Sequence, residues 1–265
     1  MFHNLHIFGL GFTASAVAKL LPPATVTTRF TPPSETEAAL RSATHLLLSA
    51  PPDHAGDPCL ARFADAVAGA KALRWIGYCS SVGVYGGGVV DEATAPAPKQ
   101  PRGVRRLAAE EAWRAIRPDL PLDLFRLAGI YGPGRSVFDD LRAGTARSVV
   151  APAHRFNRIH RDDAARAIVA AMSRPVGVRV LHLADDLPAA SSEVVGYAAA
   201  LLGMAPPPAI GLDEALAGMS PTARSFWAES RLIENAATKQ ALGIEWLYPS
   251  YREGLEAILA EEAEH

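Results

Sequence analysis

Gly9, Gly11 and Ala14 carry the first chemical signal in the chain. They stand in Ile7-Phe8-Gly9-Leu10-Gly11-Phe12-Thr13-Ala14, an apolar run, a glycine turn and the start of an apolar helix. The G-x-G-x-x-A spacing suits a dinucleotide. Gly9 makes a tight turn, Gly11 leaves room for backbone to approach a pyrophosphate, and Ala14 lets the helix pack on the strand. The free N–H groups at Phe12 and Thr13 then face the phosphates, and the helix dipole favours their charge. Arg29 follows twenty residues after Gly9. An acidic residue near this point would grip the ribose 2′-hydroxyl of NAD, whereas a basic one suits the 2′-phosphate of NADP. Thr27 and Thr28 offer hydroxyls to the same phosphate. The expected cofactor is therefore NADP in preference to NAD. The structural alternative for Arg29 is a surface arginine at a strand end.

Three further stretches fall where ligands sit in open parallel sheets, at the carboxyl ends of strands. Ser49, Ala50 and Pro51 follow the apolar run His45-Leu46-Leu47-Leu48. Ser80 and Ser81 end the run from Arg74 to Cys79, and their hydroxyls either meet a ligand or satisfy backbone groups. Gly129 and Ile130 open a loop to Arg135 that is able to pass close to a nicotinamide, with Arg135 facing substrate. Gly-Pro-Gly within it is also ordinary turn chemistry.

The elements that must position these residues alternate. Strands are expected at Leu5 to Phe8, Thr25 to Thr28, His45 to Ser49, Arg74 to Cys79 and Leu122 to Leu127. Helices are expected at Thr13 to Leu21, closed by Pro22 and Pro23, from a capping box at Ser34 to Ser42, from Asp57 to Ala70, and from Arg102 to Ile116. This rhythm predicts an α/β fold, a Rossmann-like doubly wound parallel sheet with right-handed crossovers. Residues 1–135 form the dinucleotide-binding core. Residues 136–265 form a smaller C-terminal, mainly substrate-side region, with a strand near 178–183 as a candidate to return to the core sheet. Residues 204–230 show no strong period.

Composition narrows the partners. The 265 residues are 49% hydrophobic and 20% charged, with a formal net charge of -2. That balance points to a small-molecule substrate and away from nucleic acid or an acidic membrane surface. No apolar run approaches a membrane span, and the N-terminus lacks the basic region and small-residue cleavage site of a signal peptide. Cys59 and Cys79 form neither a close pair nor a metal spacing, so reduced thiols in the cytoplasm are expected. His154 and His160 are not at metal-binding helical spacing, so no metal is expected. No G-x-S-x-G hydrolase elbow is present.

The glycine turn, Tyr78-Cys79-Ser80-Ser81-Val82-Gly83-Val84-Tyr85-Gly86 and Arg126-Leu127-Ala128-Gly129-Ile130-Tyr131-Gly132-Pro133-Gly134 together resemble the extended short-chain dehydrogenase/reductases, in particular the NAD(P)-dependent epimerase/dehydratase-like kind. Asn157-Arg158-Ile159-His160-Arg161-Asp162-Asp163 resembles that family's substrate-region segment. Tyr248 to Leu255 is similar to the closing segment of a small atypical branch. The resemblance covers nearly the whole chain. It implies a Ser81 that hydrogen-bonds the reacting hydroxyl or carbonyl of a small polar substrate, such as a sugar nucleotide. It also implies a homodimer through the helices Asp57 to Ala70 and Arg102 to Ile116, with Leu107, Ala108, Ala112 and Trp113 apolar.

The chain departs from the family at the acid/base. Laid on Y-G-x-S-K-x-x-x-E, the segment from Arg102 to Glu110 puts Arg102 at the tyrosine and Arg106 at the lysine. Arg106 retains a positive charge for the nicotinamide ribose. Arg102 stays protonated near neutral pH and is a poor acid/base. A phenol from Tyr85 or Tyr131, the imidazole of His160, or an anion held by Arg102 with the proton coming from water or substrate would each fill the gap. The alternative from another class is a non-catalytic NAD(P)-binding sensor that has lost the Tyr-Lys pair.

Overall fold

In the computed structural model, which describes residues 4–21 and 23–264, the apolar runs assemble into a six-stranded parallel sheet. Pro22 lies outside the described residues. The chain runs β1 (Leu5–Phe8), α1 (Phe12–Leu20), β2 (Thr25–Thr27), α2 (Pro33–Ser42), β3 (His45–Leu48), α3 (Leu60–Ala68) and β4 (Trp75–Ser81). It continues through β5 (Gly88–Val90), α4 (Pro101–Ile116), β6 (Leu122–Leu127), β7 (Gly129–Tyr131), α5 (Val137–Arg142), β8 (Ser148–Val150) and β9 (Arg158–His160). It closes with α6 (Arg161–Ser173), β10 (Val178–Leu183), α7 (Ser191–Leu201), β11 (Ala209–Gly211), α8 (Leu212–Ala217), α9 (Pro221–Trp227), β12 (Arg231–Ile233), α10 (Ala236–Leu242) and α11 (Tyr251–Ala263).

The sheet order is β10-β6-β4-β3-β1-β2. The chain moves outward from β1 to β2 and then returns to β3 on the other side. The carboxyl ends of β1 and β3 therefore flank a topological switch point, where open α/β sheets bind ligands. One face of the sheet is covered by α1 and α6 through Ala14, Val17, Ala164, Ala167 and Ile168. The other face is covered by α2, α3 and α4 through Leu40, Phe63, Val67, Ala109 and Trp113. Sheet strands covered on both faces read as continuous apolar runs, as Leu46, Leu47 and Leu48 do. The strand at 178–183 joins the main sheet, where Val178 to Leu183 pair with Leu122 to Leu127. Buried Asp123 on β6 accepts from Trp75 Nε1 at 2.7 Å and from Arg179 Nε at 2.6 Å and Nη2 at 2.8 Å. One carboxylate thus ties β4, β6 and β10 together.

Three two-stranded parallel pairs, β5 with β12, β7 with β9 and β8 with β11, fasten the later segments over the carboxyl edge. Local signals act largely as expected. Ser250 forms a capping box with Glu253. Asp57 Oδ1 accepts from the N–H groups of Cys59 and Leu60 at 3.0 and 3.1 Å, although regular helix begins only at Leu60. The box expected at Ser34 does not form, because α2 begins at Pro33 with Pro32 at the cap position, two residues before a Ser34 cap would start it. Between 204 and 230 the chain makes the short β11, α8 and α9, and α9 buries none of its residues.

Candidate active site

The turn after β1 is held open for a ligand. Gly9 has φ +90°, and a Cβ there would meet Ala50 N at 2.9 Å, so both its conformation and the nearness of the loop after β3 require glycine. A Cβ on Gly11 would meet only Ser49 Oγ, at 3.4 Å. The space beside Gly11 is therefore free of the protein's own packing. Gly11 caps α1 without a side-chain hydrogen bond, so the first amide N–H groups of the helix are left for a ligand. Thr13 Oγ1 is buried there with no partner among the described residues. Ala14 is fully buried against the core. An open helix start, an orphaned hydroxyl and a glycine cradle fit the pyrophosphate of a dinucleotide.

Thr27 does not extend that site. Its hydroxyl is buried and bonded to His6 Nε2 at 3.0 Å, which removes it from any 2′-phosphate. Thr28 Oγ1 accepts from Phe30 N–H at 3.2 Å in a tight turn and keeps its own proton to donate. Arg29 is exposed at the end of β2, its guanidinium 4.8 Å over the Phe30 ring. It makes no hydrogen bond or ion pair among the described residues.

A cavity of about 320 Å³ opens at the carboxyl edge beside this turn, and Pro51 brings the loop after β3 to its wall. Ser81, Arg102, Arg105, Arg106 and Gly129 line it. Ser81 Oγ accepts from Gly83 N–H at 3.1 Å, which leaves the hydroxyl proton to be donated. The N-terminus of α4 comes close to this loop because residue 103 is glycine: a Cβ there would collide with the Gly83 carbonyl oxygen. Arg106 Nη1 donates to the Cys79 carbonyl at 2.8 Å and to the Tyr78 hydroxyl at 3.2 Å. Arg102 lies 5.3 Å over the ring of Phe226.

Behind the wall lies a buried polar network. Ser80 donates to Glu110, and Arg126 donates to both Glu110 oxygens at 3.1 and 2.6 Å. Arg126 Nη1 also donates to the Tyr85 hydroxyl at 2.5 Å. His182 donates from Nδ1 to the Glu234 carbonyl at 2.7 Å, so its Nε2 accepts from Tyr85 at 2.6 Å. Ser80 is thus committed to Glu110 and does not line the cavity. Tyr85 is fully buried in the same network, where desolvation raises its pKa against the opposing pull of Arg126.

Two other acid/base candidates also stand away from the cavity. The buried Tyr131 hydroxyl donates to the Ser250 carbonyl at 3.2 Å, and burial pushes its pKa up. His160 caps α6, accepting from Asp162 N–H at 3.3 Å, and burial lowers its pKa. It packs between Tyr131 and Tyr248, with ring centroids at 5.2 and 4.2 Å. Ile130 packs against the core beside Gly129. Arg135 does not line the cavity; its guanidinium lies 5.5 Å over Phe12 at the start of α1.

Besides Gln100, six lining residues escaped the sequence reading: Arg155, Phe156, Ser225, Phe226, Glu229 and Arg231. Those six come from the irregular second half, where no periodicity marks them. Asn157 was readable as part of a motif. Its side chain donates to the Arg231 carbonyl at 2.7 Å and accepts from Ile233 N–H at 3.0 Å, docking β12 at the cavity rim.

No protein-family model matches the chain. Over 175 residues it is 29% identical to Protein YeeZ of Escherichia coli (strain K12), an alignment that covers 65% of this chain and 58% of YeeZ. The chain therefore matches less than two thirds of that relative's length. A functionally unknown conserved protein from Silicibacter pomeroyi DSS is 40% identical, with 97% of this chain and 98% of that one covered and a TM-score of 0.86. The fold is also that of MoeE5 in complex with UDP-glucuronic acid and NAD (21% identity, 99% and 100% covered, TM-score 0.77). It is shared by the human epimerase family protein SDR39U1 (isoform2) with NADPH (17% identity, 97% and 99% covered, TM-score 0.78). With its six-stranded parallel sheet and its glycine turn after β1, the chain shares its fold with these NAD- and NADPH-bound proteins and is a relative of the Silicibacter pomeroyi protein.

Proposed function

We propose that this protein is an NADP-dependent oxidoreductase acting on a carbonyl or hydroxyl group of a small polar substrate. The observation that carries the reading is the meeting, at one sheet edge, of an open glycine turn and a cavity walled by Ser81, Arg102 and Arg106. Gly9, Gly11, Phe12, Thr13 and Ala14 would hold the pyrophosphate. Thr28 and Arg29 would hold the 2′-phosphate, and Ser49, Ala50, Pro51, Gly129 and Arg106 would flank the nicotinamide half. The bound nicotinamide would supply the hydride exchange. Ser81 donates its free proton as a hydrogen bond to the substrate oxygen and so polarises a carbonyl. Arg106 keeps a fixed positive charge beside the ribose, and Arg102 binds substrate and moves no proton. Residues after 135 furnish the substrate side, and α3 and α4 pair two copies into a homodimer. The similarity to MoeE5 and SDR39U1 supports a nicotinamide cofactor.

Calorimetric titration with NADPH and NADH in parallel, on protein freed of carried-over cofactor, tests the reading. NADPH is expected to bind more tightly than NADH. Arg29→Ala should weaken NADPH by about tenfold or more while leaving NADH nearly unchanged, the scale of one lost charge-assisted contact. Equal losses for both would remove the 2′-phosphate role, and no binding of either would remove the oxidoreductase reading. A second reading, a cofactor-binding sensor without turnover, is favoured by Arg102 standing where a phenol is needed. NADPH binding without turnover across a screen of carbonyl substrates would select it.

A further inference from the structure

We propose that the cavity binds a small hydroxylated dianion, its charge borne by carboxylate or phosphate, gripped by Arg102 and Arg105 on the wall that also carries Ser81. The inference rests on the reading of this cavity as the substrate side. Five arginines line it, and Glu229 is the one carboxylate among its lining residues. Arg231 and Glu229 form an ion pair, and Arg231 is further tied to the Gly86 and Val82 carbonyls at 3.2 and 3.3 Å. Arg155 faces Glu193 at 3.5 Å. The other three stand in the first two turns of α4 and form no ion pair among the described residues, although Arg106 lies near enough to Asp57 for its charge to oppose the rise that burial gives that carboxyl's pKa. The hydrogen bonds of Arg106 go to a carbonyl and a phenol. Arg102 and Arg105 make no hydrogen bond or ion pair among the described residues.

Three guanidiniums on one stretch of helix repel one another, and a concave wall of low dielectric concentrates their field. The first turn of α4 makes this stronger: it has no acidic residue and no side-chain cap, so the positive end of the helix dipole adds to the same space. Phe226 steadies Arg102 by cation–π contact without neutralising it. Planar guanidinium forks of this kind match carboxylate or phosphate oxygens. The volume, about 320 Å³, limits the ligand to small-molecule size. Glu229 adds a second requirement. Its Oε1 is buried without a partner, and its side chain is only 7% exposed. A hydroxyl on the ligand gives that oxygen a donor.

The test is calorimetric titration of the cofactor-free full chain with tartronate, glycerol 2-phosphate and glycerol. At least one of the two anions is expected to bind, and glycerol is expected not to; whichever anion binds identifies the charged group. Arg102→Gln and Arg105→Gln should each weaken the binding anion by about tenfold or more. Arg102→Lys should retain part of the affinity. Lys71→Gln, which removes an exposed charge beyond α3, should have no effect. Thermal melts check that each variant is folded. If neither anion binds at millimolar concentration, if binding survives unchanged in both glutamine variants, or if glycerol binds as well as the anions, the inference is overturned. Anion binding by wild-type protein that does not bind NADPH would retire the cofactor reading and leave this one standing.

Discussion

Asp185 is a carboxyl group at 1% exposure, with no hydrogen-bond partner for either oxygen among the described residues. Burial pushes its pKa up to about 8, against the partial opposition of Arg158. Between about pH 4 and about pH 8 the folded chain then holds a proton that the unfolded chain has released. The stabilising contribution of this group is complete below about pH 4, falls as pH rises and is gone above about pH 8. The slope is at most about 1.4 kcal/mol per pH unit. Asp185→Asn removes the titration. Denaturant unfolding should therefore show the variant gaining on wild type by at least about 1 kcal/mol across that window and no further above it. A wild-type-to-variant difference that is flat with pH would remove this account of Asp185. The same residue scale shows what a sequence can reveal about a site. That Ser80 and Ser81 end a strand at the ligand edge is local and readable. Successive strand residues point to opposite faces, and which of the two meets the ligand depends on Glu110, thirty residues away. Tyr131 and His160 stand away from the cavity for a similarly non-local reason. Their partners, Ser250 for the one and Tyr248 for the other, come from the far end of the chain.

At the scale of elements, α4 works on three sides. Arg102, Arg105 and Arg106 face the cavity, while Ala109 and Trp113 face the sheet. Trp113 is fully buried in the core, so it is not available to a partner helix. The outer side carries Val104, Ala108, Ala112 and Ala115, all exposed. Small apolar residues at this spacing allow two helices to approach closely, and this shifted stripe is where the proposed homodimer would form, beside the exposed Ala61 and Ala68 of α3. Sedimentation velocity at micromolar protein should give twice the 28.1 kDa chain mass, and Ala112→Glu should return it to one. A wild-type monomer would exclude the dimer. Helices with one buried apolar face, such as α1 and α4, were legible because burial imposes a period on their residues. The short α8 and α9 were not, since they bury at most a single residue each and leave no period to read. The cavity's far wall, Phe226 and Glu229 included, lies in or beside α9 for that reason.

At the scale of the molecule, the chain crosses and recrosses its own sheet. The cluster around Leu5, Ile7, Ala14 and Val17 is completed by Ile159, Ala164, Ile168, Leu181, Leu183, Leu242 and Trp246. Asn157 and Asn235 add ties to backbone groups of distant segments. Residues before and after 135 therefore share this cluster and the main sheet, and neither half covers that cluster alone. Burial that is shared in this way makes unfolding cooperative, because opening either half exposes the other. The four tryptophans sample both halves: Trp75 and Trp113 in the first, Trp227 and Trp246 in the second. Guanidinium unfolding followed by far-ultraviolet circular dichroism and by tryptophan fluorescence should thus give coincident midpoints, and a fragment of residues 1–135 should lack a cooperative transition. Two separated midpoints, or a fragment that melts cooperatively, would show that the first half carries its own core. In that case the later residues would be an independent addition to the site. In the shared-core case, a dinucleotide bound at the glycine turn stabilises the substrate wall as well, and NADPH should move both spectroscopic midpoints upward by the same amount.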